Sequence, residues 1–173
     1  RNWARRRRNP YAVRDNLLLG DIDVAVREGE EVQKVGARTI VDCTSVGIRR
    51  DALALRELAE RTGLHIVAGC GYYTRDTHPP EMDDWSPADV AAQMIRDLTE
   101  GIDSTSIKAG VIGEIGTSKP IHPNEWKALE AAALAYSEAP VAVYVHTYPW
   151  STHGIEAARF LIEKGVPSEK IVI

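Results

Sequence analysis

Long hydrophobic runs are absent from this sequence, and cysteine is scarce. No apolar stretch approaches the roughly 18 residues that indicate a transmembrane helix, so we expect no membrane-spanning segment. The two cysteines, Cys43 and Cys70, are too few for a disulfide scaffold and form no C-x-x-C pair. Each lies in an apolar, strand-like run, which favours buried thiols in a reducing compartment and hence a cytoplasmic protein.

An excess of positive charge is absent as well. The formal net charge is -4, which gives nucleic acid no general attraction. The dense basic run Arg5–Arg8 could bind nucleic acid or anionic lipid, but Asn9 and Pro10 follow it and no aromatic residues are interleaved with it. We therefore favour a solvated connecting loop and expect neither nucleic acid nor a membrane as partner.

We also expect no signal peptide within this segment, because basic and polar residues follow Arg1 where an apolar segment would be needed. The start on Arg1 and the stop inside the apolar triplet Ile171–Ile173 suggest a segment of a larger protein. A chain of 173 residues, 44% of them hydrophobic, can form one domain with its own core. We expect residues 1–173 to be a single domain that is truncated at both ends.

Short β-branched runs alternate with helical patterns along the chain. The predicted strands are apolar on both faces, as parallel strands covered on both sides are. They are Thr39–Asp42, His65–Ala68, Ile107–Ile112, Val141–His146 and Ile171–Ile173. The helical patterns end near glycine or proline. They are Asp21–Val35, Asp51–Arg61, Ser86 towards Gly101, Pro123 to about Ala139, and Ile155–Lys164.

Repeated strand–helix–strand units imply parallel pairing with right-handed crossovers. The units fit a (β/α)8 barrel, but five strands fall short of the eight that close it. We therefore predict an α/β fold that is a partial (β/α)8 TIM barrel, about strands two to six with their helices. The alternative is a doubly wound open sheet, although no glycine-rich phosphate loop follows the first predicted strand.

Glu114 lies at the carboxyl end of a predicted strand, where a barrel builds its active site. Alternation along the strand puts Gly110, Ile112 and Glu114 on one face. A carboxylate after such an apolar run is poorly solvated unless a cation meets it. From the strand alone, a buried glutamate paired with an arginine or with backbone amides is an equally good interpretation.

His146 follows the apolar run Val141–Val145 on the next strand. A lone histidine at a strand end is more often a hydrogen-bonded structural residue than a ligand. Neighbouring parallel strands, however, lie about 4.8 Å apart, so Glu114 and His146 could reach one metal ion or a pair. Carboxylate with imidazole suits zinc, and also manganese, iron or cobalt. Two ligands do not complete a catalytic zinc site, which normally has three.

Several stretches resemble the phosphotriesterase family of the amidohydrolase superfamily. They are Thr39–Thr44, Ile48–Asp51, Gly71–Tyr73 and Ala109–Ser118, and the last one, A-G-V-I-G-E-I-G-T-S, is quite specific to that family. The resemblance covers nearly the whole chain. It implies a (β/α)8 hydrolase with two divalent metal ions bridged by a carboxylate and a hydroxide.

The same resemblance assigns roles to Glu114, His146 and Tyr73. Glu114 matches the metal-bridging carboxylate at the end of strand four, and His146 matches the ligand at the end of strand five. Many members have a carbamylated lysine in place of Glu114, so the chain resembles the glutamate-bridged branch, and transfer of phosphotriesterase or lactonase activity is weakened. Tyr73 matches an aromatic position that lines the substrate pocket, with packing under a loop as the alternative. His78, in the same loop, is a second candidate for substrate contact.

The other residues of such a centre have no counterpart in this sequence. The family's His-x-His pair on strand one, its strand-six histidine and its strand-eight aspartate would all lie beyond the ends of the chain. The aspartate handles the proton of the attacking water. We therefore assign no catalytic residue among these 173 residues, and only Glu114 and His146 as metal ligands.

For the intact protein the resemblance implies a metal-dependent hydrolase of esters, lactones, amides or phosphoesters. Its cofactor would be two divalent ions, zinc first, with manganese, iron or cobalt as alternatives. The partner would be a small-molecule substrate, and a homodimer is left open for the full-length protein. The alternative is a non-catalytic barrel fragment that lacks most of its metal ligands and is inactive as it stands.

Overall fold

The computed structural model describes residues 20–173, and the basic run Arg5–Arg8 lies outside this range. The helices of the described part are α1 (Ile22–Lys34), α2 (Ala52–Thr62), α3 (Pro87–Thr99), α4 (Pro123–Glu138) and α5 (His153–Glu163). The strands are β1 (Thr39–Asp42), β2 (His65–Cys70), β3 (Val111–Thr117), β4 (Val143–Thr147) and β5 (Ile171–Val172). Short 3-10 turns lie at Arg75–Thr77, Pro80–Asp83 and Ser168–Lys170.

The strands form one parallel sheet in the order β1-β2-β3-β4-β5, the same as their order in the chain. A helix separates each strand from the next. A doubly wound sheet reverses its strand order part-way, so this topology excludes that alternative. Consecutive parallel strands joined by helices form the wall of a (β/α)8 barrel. The prediction of a partial α/β barrel is confirmed.

The strand predicted at Ile107–Ile112 is misplaced, because β3 spans Val111–Thr117. The apolar residues before it are bonded to the preceding helix: the Ala109 N–H donates to the main-chain carbonyl of Asp97 in α3 at 2.8 Å. Glu114 therefore lies inside its strand rather than after it. The other strands begin and end within two residues of their predicted bounds.

One extra residue in β3 interrupts its pairing with β4. Ile112 is paired with Val143 and Ile115 with Val145, so three steps along β3 match two along β4. Such a β-bulge bends the strand locally and changes the direction of its side chains. The shared face expected for Ile112 and Glu114 depended on regular alternation, which does not continue through this point.

Gly113 makes the bulge sterically feasible. Its φ is +127°, a conformation that side-chain-bearing residues rarely adopt. A Cβ at this position would also collide with the carbonyl of Tyr144 on β4. The next residue is tied elsewhere, since the Glu114 N–H donates to the carbonyl of Cys43, after β1, at 3.0 Å. Glycine at position 113 therefore lets the main chain of β3 lie directly against that of β4, while the next residue is bonded to the loop after β1.

The hydrophobic core lies between the sheet and helices α3, α4 and α5. Its fully buried members include Val90, Met94, Ile112, Ile115, Leu129, Val143 and Leu161. Cys70 is fully buried and Cys43 only half-buried, so the expectation of buried thiols is confirmed for Cys70 alone. Within residues 20–173 no helix is both long and apolar enough to cross a membrane.

Arg50 joins the loop after β1 to α3 and to the turn that follows α3. Its Nη1 donates to the Asp97 carboxylate at 2.5 Å, and its Nη2 donates to Asp103 at 2.7 Å. Gln93 donates to the other Asp97 oxygen at 2.8 Å. The Arg50 and Asp97 side chains are only 3% and 1% exposed, so each buried charge depends on the other for compensation.

Replacing Arg50 with alanine is expected to lower the free energy of unfolding by about 3–5 kcal/mol, because Asp97 would be left buried without its cation. Urea denaturation measures this loss. Arg61→Ala is the matched control: Arg61 pairs with Asp23 and Glu57 on the exposed surface, and its removal should change little. Equal losses in the two variants would contradict a structural role for the buried pair.

Candidate metal centre

Glu114 and His146 lie side by side on neighbouring strands. In the strand register His146 is opposite Gly116, two residues beyond Glu114. Nevertheless the His146 Nδ1 lies 3.3 Å from the Glu114 Oε2. The His146 side chain is 40% exposed and the Glu114 side chain is 31% exposed, so both reach solvent. The structure therefore brings together the two side chains that the resemblance implied as metal ligands.

Tyr73 contacts the other side of the His146 ring from the loop after β2. Its hydroxyl oxygen lies 2.9 Å from the His146 Nε2, within hydrogen-bond distance. The two rings pack edge to face, with centroids 4.9 Å apart and planes at 64°. The family resemblance implied a place in the substrate pocket for Tyr73, and the structure puts its hydroxyl beside His146, a candidate metal ligand.

His78 is buried, and it contacts the main chain of its own loop. Its Nε2 lies 2.7 Å from the carbonyl oxygen of Tyr73; since a carbonyl can only accept, this nitrogen carries the proton. Burial lowers the pKa of His78, which favours the neutral ring. Among the described residues its Nδ1 has no hydrogen-bond partner. Substrate contact by His78 stays a prediction.

Cys43 lies close enough to Glu114 to be affected by its charge, but its thiol is not activated. Burial, followed by the carboxylates of Glu114 and Asp42, raises the pKa of Cys43 to about 11. Burial also raises the pKa of Cys70, to about 12. A thiolate is the nucleophilic form of cysteine, so neither side chain is suited to nucleophilic catalysis near neutral pH.

The spacing of Glu114 and His146 fits a shared metal ion. Two donors bound tetrahedrally at about 2.0–2.1 Å from zinc lie about 3.3–3.4 Å apart, and the His146 Nδ1 and Glu114 Oε2 are separated by 3.3 Å. Within residues 20–173, no group of three or more His, Cys, Asp and Glu side chains could hold a metal ion. The donor set suits zinc but remains partial.

Comparison with known proteins identifies the family. The phosphotriesterase family model matches residues 4–173. The phosphotriesterase-related protein of Nematostella vectensis is 38% identical over 161 residues, which are 92% of this chain and 46% of that protein. The N-acetyltaurine hydrolase of Tetraodon nigroviridis is 39% identical over 168 residues, 96% of this chain and 48% of that protein. The chain belongs to the phosphotriesterase family.

Solved structures of the phosphotriesterase fold superimpose on the chain. The Escherichia coli phosphotriesterase homology protein, complexed with phosphate in its active site, matches with a TM-score of 0.86 and 31% identity. That alignment covers 90% of this chain and 53% of the other. A resiniferatoxin-binding protein from Rhodobacter sphaeroides matches with a TM-score of 0.89 and 33% identity, covering 95% and 46%. The chain spans about half the length of the relatives it matches.

Glu125 joins the loops around this phosphotriesterase-family site, a role that the sequence analysis missed. Its side chain is fully buried at the start of α4. Oε1 accepts the Arg75 N–H from the loop after β2 at 3.0 Å. Oε2 accepts the Ser118 N–H and hydroxyl from the end of β3 at 2.9 and 2.8 Å, and the His122 N–H at 2.8 Å. One carboxylate therefore connects two loops and the start of a helix.

The helix-start pattern could have suggested part of this role. Glu125 is the third residue of α4, and His122 is the residue that caps it: the His122 Nδ1 accepts the Asn124 N–H at 3.1 Å. An acidic residue at the third helical position commonly accepts the N–H of the capping residue. The contacts with Arg75 and Ser118 have no such local pattern, because they depend on how the loops fold.

Replacing Glu125 with glutamine should destabilise the protein by about 1–3 kcal/mol, because one amide oxygen cannot satisfy donors on both sides of the side chain. Hydrogen exchange of the Arg75 and Ser118 amides should accelerate. Glu130→Gln is the control on the same helix, since Glu130 is partly exposed and pairs only with Lys164 in the described contacts. Unchanged exchange at both amides in the Glu125 variant would refute the connecting role.

Proposed function

We propose that the whole protein is a metal-dependent hydrolase of small-molecule substrates in which Glu114 and His146 bind metal. The observation that carries this proposal is the 3.3 Å separation of their donor atoms on neighbouring strands of a phosphotriesterase-family fold. Both side chains are partly exposed, so an ion and a substrate could reach them. Residues 20–173 offer two donors, and the remaining ligands would come from other parts of the protein.

Each residue of the pair would have a defined task. Glu114 would bridge two divalent ions through its carboxylate oxygens, and His146 would bind one of them through Nδ1. When bound, such ions make a water molecule acidic near neutral pH and polarise the scissile bond. Zinc suits a carboxylate and an imidazole best, with manganese, iron or cobalt as alternatives. The strands and the loop of Tyr73 would hold both donors in fixed positions.

An amide is the substrate class that we favour. The relative from Tetraodon nigroviridis is named N-acetyltaurine hydrolase, and an N-acyl amide is the bond that this name implies. Glu114 supports the same choice, since phosphotriesterase and lactonase activities are associated with a carbamylated lysine at that position. We therefore propose hydrolysis of the amide bond of a small N-acylated compound, ahead of esters, lactones and phosphotriesters.

We also propose a reducing, cytoplasmic location for the protein. Cys43 and Cys70 are both free thiols, and Cys70 is fully buried in the core. Free cysteines persist where the surroundings keep thiols reduced.

Replacing Glu114 with alanine should reduce the metal content of the whole protein from about two ions to one or none, since the bridging carboxylate would contact both. His146→Ala should remove at least one ion. Metal content is measured by elemental analysis after dialysis against metal-free buffer. Glu130→Ala, which removes a partly exposed carboxylate on α4, should keep the wild-type content. Unchanged content in the Glu114 variant would exclude the bridging role.

The substrate class is tested by comparing kcat/KM for N-acetyltaurine, an aryl phosphotriester, an aryl ester and a lactone with the same metal-loaded protein. We expect the amide to be the preferred substrate, with taurine and acetate released in equal amounts. Activity on the amide should be lost in Glu114→Ala and retained in Glu130→Ala. Preference for the phosphotriester or the lactone would contradict the proposed class while leaving the metal centre intact.

A further inference from the structure

Two different side chains face the two ring nitrogens of His146. Nδ1 faces Glu114 on the side where a metal ion fits, and Nε2 faces the Tyr73 hydroxyl at 2.9 Å. The edge-to-face packing of the Tyr73 ring limits rotation of the imidazole as well. Tyr73 therefore contacts His146 through both its hydroxyl and its ring, whereas Glu114 faces the other ring nitrogen.

The main chain of Tyr73 is fixed by contacts on both sides. Gly116 is opposite His146 in the strand register, and a Cβ at Gly116 would collide with the backbone of Tyr73 and Thr74. Because Gly116 has no side chain, the loop after β2 that carries Tyr73 lies directly against β3. The buried His78 donates its Nε2–H to the Tyr73 carbonyl at 2.7 Å. Tyr73 is therefore placed by the fold and does not depend on the hydroxyl contact for its position.

We propose that Tyr73 is a positioning residue for the metal ligand His146: its hydroxyl accepts the Nε2–H and so leaves the Nδ1 lone pair facing Glu114. A metal-binding imidazole must present an unprotonated nitrogen, and its other N–H usually donates to a neighbouring acceptor that fixes the ring and its tautomer. A tyrosine hydroxyl can accept a hydrogen bond from such an N–H. This inference rests on the proposed metal-dependent function, because it assumes that His146 Nδ1 binds the ion.

Removing the Tyr73 hydroxyl would have a different effect if Tyr73 only lined the substrate pocket. If Tyr73 acted only by contacting substrate, removing its hydroxyl would change KM and leave metal affinity as it was. If it positions His146, the metal affinity itself falls, since loss of such a partner typically weakens binding about 10–100-fold. Metal affinity measured without substrate therefore separates the two roles.

The test uses the whole protein with Tyr73→Phe, which removes the hydroxyl and keeps the ring. Tyr136→Phe is the matched control, because Tyr136 lies on α4 and packs against the core. Zinc affinity is measured by competition with a chelator. The His146 Nε2–H of the zinc-loaded protein is followed by nitrogen-15 NMR, with His146→Gln used for its assignment. Circular dichroism verifies that each variant is folded.

We expect Tyr73→Phe to lower zinc affinity about 10–100-fold and to make the His146 Nε2–H exchange rapidly with water, with neither change in Tyr136→Phe. Wild-type zinc affinity and a protected Nε2–H in Tyr73→Phe would overturn the positioning role. An unprotonated Nε2 in the zinc-loaded wild type would overturn it as well. If Glu114→Ala and His146→Gln themselves bind zinc normally, the proposed metal centre is wrong, and this result is distinct from failure of Tyr73 alone.

Discussion

The pairing of β3 with β4, with one residue more on β3, is the constraint on which the candidate site depends. A regular ladder continued from Ile112 and Val143 would place Glu114 opposite Val145, and His146, the next residue of β4, would point to the other face of the sheet. The bulge changes the direction of the β3 side chains, and the carboxylate lies 3.3 Å from the imidazole. Gly113 permits this bulge, and the bond from the Glu114 N–H to the Cys43 carbonyl ties β3 to the loop after β1.

The fold and the pairing of these two side chains could be predicted because parallel strands end at one edge of the sheet. Apolar strands alternating with helices predict the barrel wall, and Glu114 and His146 each follow an apolar run. The exact strand bounds were harder to predict. The run Ile107–Ile112 is apolar and β-branched, but only the folded chain shows that Ala109 is bonded to α3. The bulge itself has no periodic pattern that a sequence could display.

The contact of Tyr73 with His146 and those of Glu125 with Arg75 and Ser118 could not be predicted, for a related physical reason. Both side chains act across loops, and loop conformation is set by tertiary contacts rather than by local propensity. His78 on the Tyr73 carbonyl and Glu125 on the Arg75 N–H hold the loop after β2 from two sides. A loop held in this way can place a hydroxyl beside His146 reproducibly, which an unsupported loop could not do. The contacts that support the candidate site therefore include His78 and Glu125 as well as the residues next to Glu114 and His146.

A comparison of three acidic side chains shows how Glu114 differs from the carboxylates that stabilise the fold. Asp97 and Glu125 are almost completely buried, and each accepts several short hydrogen bonds: Asp97 from Arg50 and Gln93, Glu125 from main-chain and hydroxyl groups. Each of their oxygens accepts at least one hydrogen bond within the fold, so these carboxylates stabilise it. Glu114 is partly exposed and lies at a longer distance from an imidazole. Its oxygens keep the freedom to bind an ion, because hydrogen bonding within the described part of the chain satisfies them less completely.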